Sequence, residues 1–270
     1  MYLARLRRDR LTLVAASCVV VIAVIAIAAP LVVDLFGVKG PDVRNSGAVS
    51  VLGVPSGPSG AHPFGVDDLG RDILARVVYG ARVALEVGLL GALIATVLGG
   101  AVGVAASYGP RCLREVVLAA LDSCLAVPAV LLGAAIALAC GTSGCVAGAV
   151  APGRASVIFA VAVAGFGMVA RVAMRMGAAP GRRRSLLTRL GVSALRLVPA
   201  AILLEAALGF LGVGVRPSTA EWGQMIASAG RDITSGNAGW WGLVFPGVAL
   251  TGTVLAFALL ARGIERAVST

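Results

Sequence analysis

The stretch HPFGVDDLGRDILARVVYGARVALEVGLLGALIATVLGGAVGVAAS, His62 to Ser107, decides how this chain is read. From Val83 onward it carries one charge, Glu86, and is long enough to cross the hydrocarbon core of a bilayer as a helix. The part before Val83 is charged and punctuated. Asp67 and Asp68 can cap a helix beginning near Leu69, because carboxylates accept from the free N–H groups of a first turn. Leu69, Ile73 and Val77 then recur at helical spacing, and Asp72 and Arg76 form an acid-first i,i+4 pair on the other side. The pattern predicts a short amphipathic helix on the membrane surface, leading into the span.

The rest of the chain extends this reading. Of 270 residues, 59% are hydrophobic and only 13% charged. Mean hydropathy is +0.95. A soluble domain carries about 25% charged residues, so this chain cannot cover itself with a polar surface. Apolar runs of spanning length recur at about 11–33, 83–107, 115–139, 155–174, 192–213 and 241–261. Each is expected to be a helix, since a segment in lipid must satisfy its own backbone hydrogen bonds. The expected fold is all-α and polytopic, with about six transmembrane helices in one domain, 1–270. No linker or internal repeat divides it.

Basic residues orient the bundle. With the N-terminus in the cytoplasm, about two thirds of the 23 Lys and Arg fall on the inner side, as the positive-inside rule requires. Both termini are then cytoplasmic. Residues 34–82 and 214–240 form extracytoplasmic loops, the first irregular from Asp34 to Gly60, and 175–191 lies inside. The net charge of +10 is a topology signal and gives no reason to invoke nucleic acid. The first run follows RLRRDR and exceeds the length of a signal-peptide core, so it is read as a retained helix.

Several chemistries are excluded or weakened. The single lysine, Lys39, is not in a GxxxxGK[ST] cradle, so the chain carries no P-loop. GTSG at Gly141–Gly144 faintly resembles the serine motif of rhomboid proteases. Ser143 would need a base, and the one histidine, His62, lies in the outer loop, where it is read as a loop residue. No catalytic or metal-binding set is assigned. Cys140 and Cys145 bracket GTSG and can be read as a short-loop disulfide or as two free thiols. Asp122 and Glu205 fall inside spans, where acids are costly. Each is read either as a hydrogen bond between helices or as a residue near a translocation path. Pro128, six residues after Asp122, predicts a kink.

Four segments resemble the permease subunits of dipeptide, oligopeptide and nickel ABC importers, the DppC/OppC type. They are HPFGVDDLGRDILARVVYGAR (His62–Arg82), LDSCLAVP (Leu121–Pro128), EAALGFLGVGVRPSTAEWGQMI (Glu205–Ile226, with GRD at Gly230–Asp232) and FPGVALTGTVLAFALLARGIERA (Phe245–Ala267). Together they cover about half the chain, in family order. The resemblance implies a type I ABC importer fold in a bacterial plasma membrane. It implies a second homologous permease, cytoplasmic ATPase subunits that hold the ATP and Mg, and an extracytoplasmic substrate-binding protein. Solute choice would rest largely with that binding protein. The charged outer element, Asp67, Asp68, Arg71 and Asp72 with Glu221 and Trp222, is the expected docking surface for it.

One family feature is missing. Such permeases resemble one another in a cytoplasmic EAA–xxx–G loop before the fifth span, whose short helix docks into the ATPase. Here that region is MGAAPGRRRSLLTRL, with no EAA, and the chain from Arg171 to Glu205 is about 20 residues shorter than the resemblance leads one to expect. The EAA at Glu205–Ala207 lies within a span. Gly177 and Arg182, Arg183 and Arg184 are left as the candidate coupling element, or as an anchor for lipid headgroups. An ion-coupled secondary carrier and an intramembrane enzyme are the competing classes. The first would need paired intramembrane charges in repeated halves.

Overall fold

The computed structural model describes residues 9–50, 53–141, 153–177, 183–213, 219–234 and 239–269. Nine α-helices carry the fold among them. They are α1 (Arg10–Ile27), α2 (Ala29–Leu35), α3 (Ile73–Ser107), α4 (Arg111–Ala126), α5 (Ala129–Gly141), α6 (Arg154–Gly177), α7 (Arg183–Phe210), α8 (Trp222–Thr234) and α9 (Trp241–Ser269). Among the described residues no strand forms, only isolated bridges in the loop between α2 and α3 such as Arg44 with Arg71. The all-α, polytopic expectation is met. Five helices, α1, α3, α6, α7 and α9, are long and apolar enough to cross a membrane.

The expected third span is divided. Val127 is extended (φ −79°, ψ 129°) because the ring of the following proline disfavours helical geometry there. Pro128 then offers its carbonyl to Leu132 N at 3.1 Å as α5 begins. The two half-helices still make one crossing. Leu121 of α4 packs with Ala106, Ala170 and Met174. Val130 and Ala134 of α5 pack with Val83, Val87 and Val157 at the other end of the bundle. The first expected span breaks too, at Ala28, ahead of Pro30 in the first turn of α2.

Helix directions follow from the close contacts. Gly91, Ala95, Gly99 and Gly103 recur every four residues on α3 and form a smooth stripe. Val161, Gly165, Val169 and Ala173 of α6 lie along it in the same order, so the two helices are parallel. A Cβ on Gly99 would come 2.7 Å from the Phe166 carbonyl oxygen. On the opposite course, Gly88 meets Ile202 and Gly100 meets Leu190, so α7 runs antiparallel to α3. Thr12 of α1 fits against Gly263 of α9. Asp9, which caps α1 through Leu11 N at 3.2 Å, lies 3.9 Å from Arg266. The start of α1 and the end of α9 therefore share one side of the bundle.

The helix expected near Leu69 does not form. Gly70 takes φ +72°, and Asp67 closes a turn, accepting from Leu69 N (3.0 Å) and Arg71 N (2.8 Å). The N-cap is Asp72, whose carboxylate accepts from Ala75 N at 3.0 Å. From Ile73 the helix runs unbroken into the span, so there is no separate amphipathic surface helix. Leu69 is exposed while Ile73 is buried. The Asp72–Arg76 pair is also absent: the i,i+4 pair that forms is Asp67–Arg71, at 2.7 Å.

Candidate functional site

The polar residues at one end of the bundle converge on the start of α3. Arg76, one turn into the helix, is 1% exposed. Its guanidinium donates to the carbonyls of Pro41 (3.3 Å) and Thr219 (3.4 Å) and lies 3.8 Å from Asp67 and 3.7 Å from Asp42. It therefore ties two stretches of the α2–α3 loop and the residues before α8 to one helix. Asp72 does the same for a fourth segment, with His62 Nδ1 at 2.8 Å from its carboxylate.

Indole rings complete this end. Trp222 lies over Gly80 and donates from Nε1 to the Val77 carbonyl at 3.0 Å. Any side chain at position 80 would collide with that ring. Trp241 donates to the Val66 carbonyl at 3.0 Å, and Phe64 stacks on Phe245 with centroids 4.0 Å apart. The first turns of α3, α8 and α9 and the loop 53–72 thus form one packed body.

Beside it, a crevice of about 430 Å3 is lined by Asp42, Tyr79, Arg82, Glu86, Arg154 and Thr219. Arg154 reaches across to Glu86 at 2.6 Å. Midway along the bundle, a cavity of about 190 Å3 is lined by apolar and small residues, Ala92, Ala95, Val161, Met168, Leu197 and Leu204 among them. Such a chamber holds no group that could do covalent chemistry.

The opposite end carries spaced ion pairs. Arg171 of α6 pairs with Asp122 of α4. Arg196 of α7 reaches Glu265 of α9 at 2.9 Å. Asp122 thus joins two helices, one of the two readings its position allowed.

The six residues expected to face a binding protein are placed unequally. Asp68 is exposed and Asp67 half-buried. Arg71, Asp72, Glu221 and Trp222 are buried within this end of the bundle. Glu205 is buried on α7, next to Glu221 at the start of α8. Desolvation pushes the Glu221 carboxyl up to about 7, its contact with Glu205 opposing that rise. At the other end, α6 closes at Gly177 and α7 opens at Arg183. Arg183 and Arg184 begin α7 itself, and residues 178–182, between α6 and α7, lie outside the described residues. Arg182, Ser143 and the Cys145 half of the expected disulfide lie outside the described residues.

Sequence reasoning missed the hub role of Arg76 and the meeting of Glu205 with Glu221. Arg76 was paired locally with Asp72, whereas its carbonyl partners lie 35 and 143 residues away. The available signal was an arginine at the start of a helix that runs directly into an apolar span, where burial requires polar partners.

These features define a polytopic all-α membrane protein with an apolar recess open on one side and no catalytic constellation among the described residues. No family model matches the chain. It is 34% identical over 260 residues to a putative peptide transport system permease protein of Brucella suis, covering 87% of this chain and 83% of that protein. It is 33% identical to the di/tripeptide transport system permease DppC of Pseudomonas aeruginosa, over 76% and 70% of the two chains. With the glutathione transport system permease GsiD of Pectobacterium atrosepticum it shares 31% identity, over 78% and 73%. The chain belongs to the DppC-type permease proteins of peptide transport systems, as a membrane-spanning subunit.

Proposed function

We infer that this chain carries di- or oligopeptides, or a related small solute, across a bacterial plasma membrane as one of two permease subunits. The observation that supports this most is sequence identity running through the whole bundle to permeases named for peptides. The second permease closes the path along this chain's apolar chamber. A binding protein delivers solute at the end that holds Arg76 and Trp222, and ATPase subunits act at the end that holds Arg171 and Arg196. Both termini lie on the ATPase side, in the cytoplasm. This chain contributes no reaction of its own and holds no cofactor; ATP and Mg sit on the ATPases.

Exposed Asp68 offers the docking charge, and the buried residues around it shape the surface that carries it. Gly177 and Arg182–Arg184, at the α6–α7 junction, meet the ATPase. Guanidinium forks suit carboxylates on such a partner. Because an exposed pair contributes only about 0–1 kcal/mol, single Arg→Ala changes are mild, and replacing all three lowers peptide-stimulated ATP hydrolysis several-fold.

Affinity purification of the tagged chain from its native host tests the reading. An ATPase and a second permease are expected in the eluate, with hydrolysis stimulated by peptide-loaded binding protein. Uptake reconstituted by this chain alone and driven by an ion gradient would overturn it.

A further inference from the structure

We propose that Glu205 and Glu221 form a single proton-binding site, in which one protonated carboxyl group donates to the other and clasps α8 to the outer end of α7. This goes beyond the transport reading and does not depend on which solute is carried.

The geometry carries the argument. Both side chains are 1% exposed, and none of their four carboxyl oxygens has a hydrogen-bond donor from elsewhere in the described protein. The backbones around them are in contact. A Cβ on Gly209 would strike the Glu221 carboxyl, and one on Gly223 would strike the Ala206 carbonyl. Among the described residues the two carboxyl groups have only each other. Two carboxylates this close and this dry cannot both ionise, whereas a pair holding one proton satisfies a donor and an acceptor at once. The proton supplies the hydrogen bond that the surrounding side chains do not.

The charged groups on every described element packed here leave this intact; Arg216, between α7 and α8, lies outside the described residues. On α3, Arg76 is nearest, through Thr219, but its guanidinium faces Asp67 and Asp42 as well. Tyr79, Arg82 and Glu86 line the separate crevice with Arg154. On α9 the first charged residue is Arg262, near the opposite end. On α8, Arg231 and Asp232 lie in the last turns. On α7 the nearest, Arg196, is more than two turns away. Gln224, one turn along α8, also has a buried amide oxygen without a partner, so among the described residues the neighbourhood offers acceptors rather than cations.

The raised Glu221 value gives the sign. A carboxyl group whose folded value stands near 7 against an ordinary 4.5 contributes stability that is complete below about 4.5. That contribution declines as pH rises and is lost above about 7. The fold around the pair is therefore most stable in acid and loses this contribution as pH rises through about 7.

The test uses the full chain in lipid nanodiscs. At about pH 6, infrared difference spectra should contain a protonated-carboxyl stretching band that both Glu205→Gln and Glu221→Gln remove. Wild-type melting temperature should fall by several degrees between about pH 5 and pH 8. Glu221→Gln should flatten that dependence, because its amide N–H replaces the proton as donor. A band untouched by either substitution, or a melting profile equally steep in Glu221→Gln, overturns the proposal. So does stabilisation by added Ca2+, Mg2+ or Na+ that Glu221→Gln abolishes, which would assign the pair to a metal cation. If Glu221→Gln fails to fold, the band and its loss in Glu205→Gln decide the question.

Discussion

Gly100 and Gly103 lie one turn apart on α3 and should respond oppositely to the same added methyl group. A Cβ at position 103 would press on the Ala170 carbonyl and come 2.7 Å from the Ala173 Cβ. Carbon atoms in contact prefer about 3.5–4.0 Å, so α3 and α6 must separate by about 1 Å there. Overpacking of this kind costs about 1–3 kcal/mol. At position 100 the Cβ meets only Leu190 methyl groups, at 3.4 Å, which a rotamer change can accommodate. Both substitutions gain up to about 1 kcal/mol of helix propensity. Gly103→Ala should therefore destabilise by roughly 1–2 kcal/mol and Gly100→Ala should be neutral to stabilising. The difference of about 2 kcal/mol corresponds to roughly a thirty-fold change in unfolding equilibrium. Steric-trapping or thermal unfolding of the two full-length variants in the same detergent measures it. Equal stability of the two would refute the parallel α3–α6 register, because no other arrangement described here separates these neighbours.

Three further outcomes follow from the packed body at the start of α3. Arg76→Met leaves the Pro41 and Thr219 carbonyls without their donor and should cost roughly 3 kcal/mol, with faster proteolysis at residues 39–44. Asp72→Ala removes the α3 cap and should cost about 1–2 kcal/mol, whereas Asp68→Ala should be within about 0.5 kcal/mol of wild type; chemical denaturation of the pair separates the true cap from its neighbour. Trp222→Phe deletes one buried hydrogen bond and should lower stability by about 1 kcal/mol, measured by melting of the purified chain.

What could be read in the sequence was what depends on nearby residues. Length and apolarity located the spans, and Pro128 located the break in the third. The start of α3 was misplaced because Asp67 and Asp72 are equally good cap types. Only Gly70, with its left-handed backbone, tells the turn from the helix. Arg76 was misread for a related reason: spacing reports neighbours on a helix, while its partners come from loops that only the fold brings near. Glu221 was expected on the surface because it sits in a polar loop. Its burial depends on Gly209 and Gly223, small residues whose significance appears only when two helices meet. The contact of Asp122 with another helix was an open alternative, and its particular partner, Arg171, was not foreseen.

The tying of four segments to the first turns of α3 has a mechanical consequence. A region whose indoles, guanidinium and carboxylates each bridge different segments cannot shear internally without breaking several bonds together. It therefore behaves as a rigid lever. Any rearrangement that exposes the chamber to one side and then the other must pivot elsewhere. The backbone already departs from helical geometry at Val127, where no hydrogen-bond ladder has to be broken to bend. That joint divides the third crossing, so one half can tilt with the lever while the other stays with Arg171.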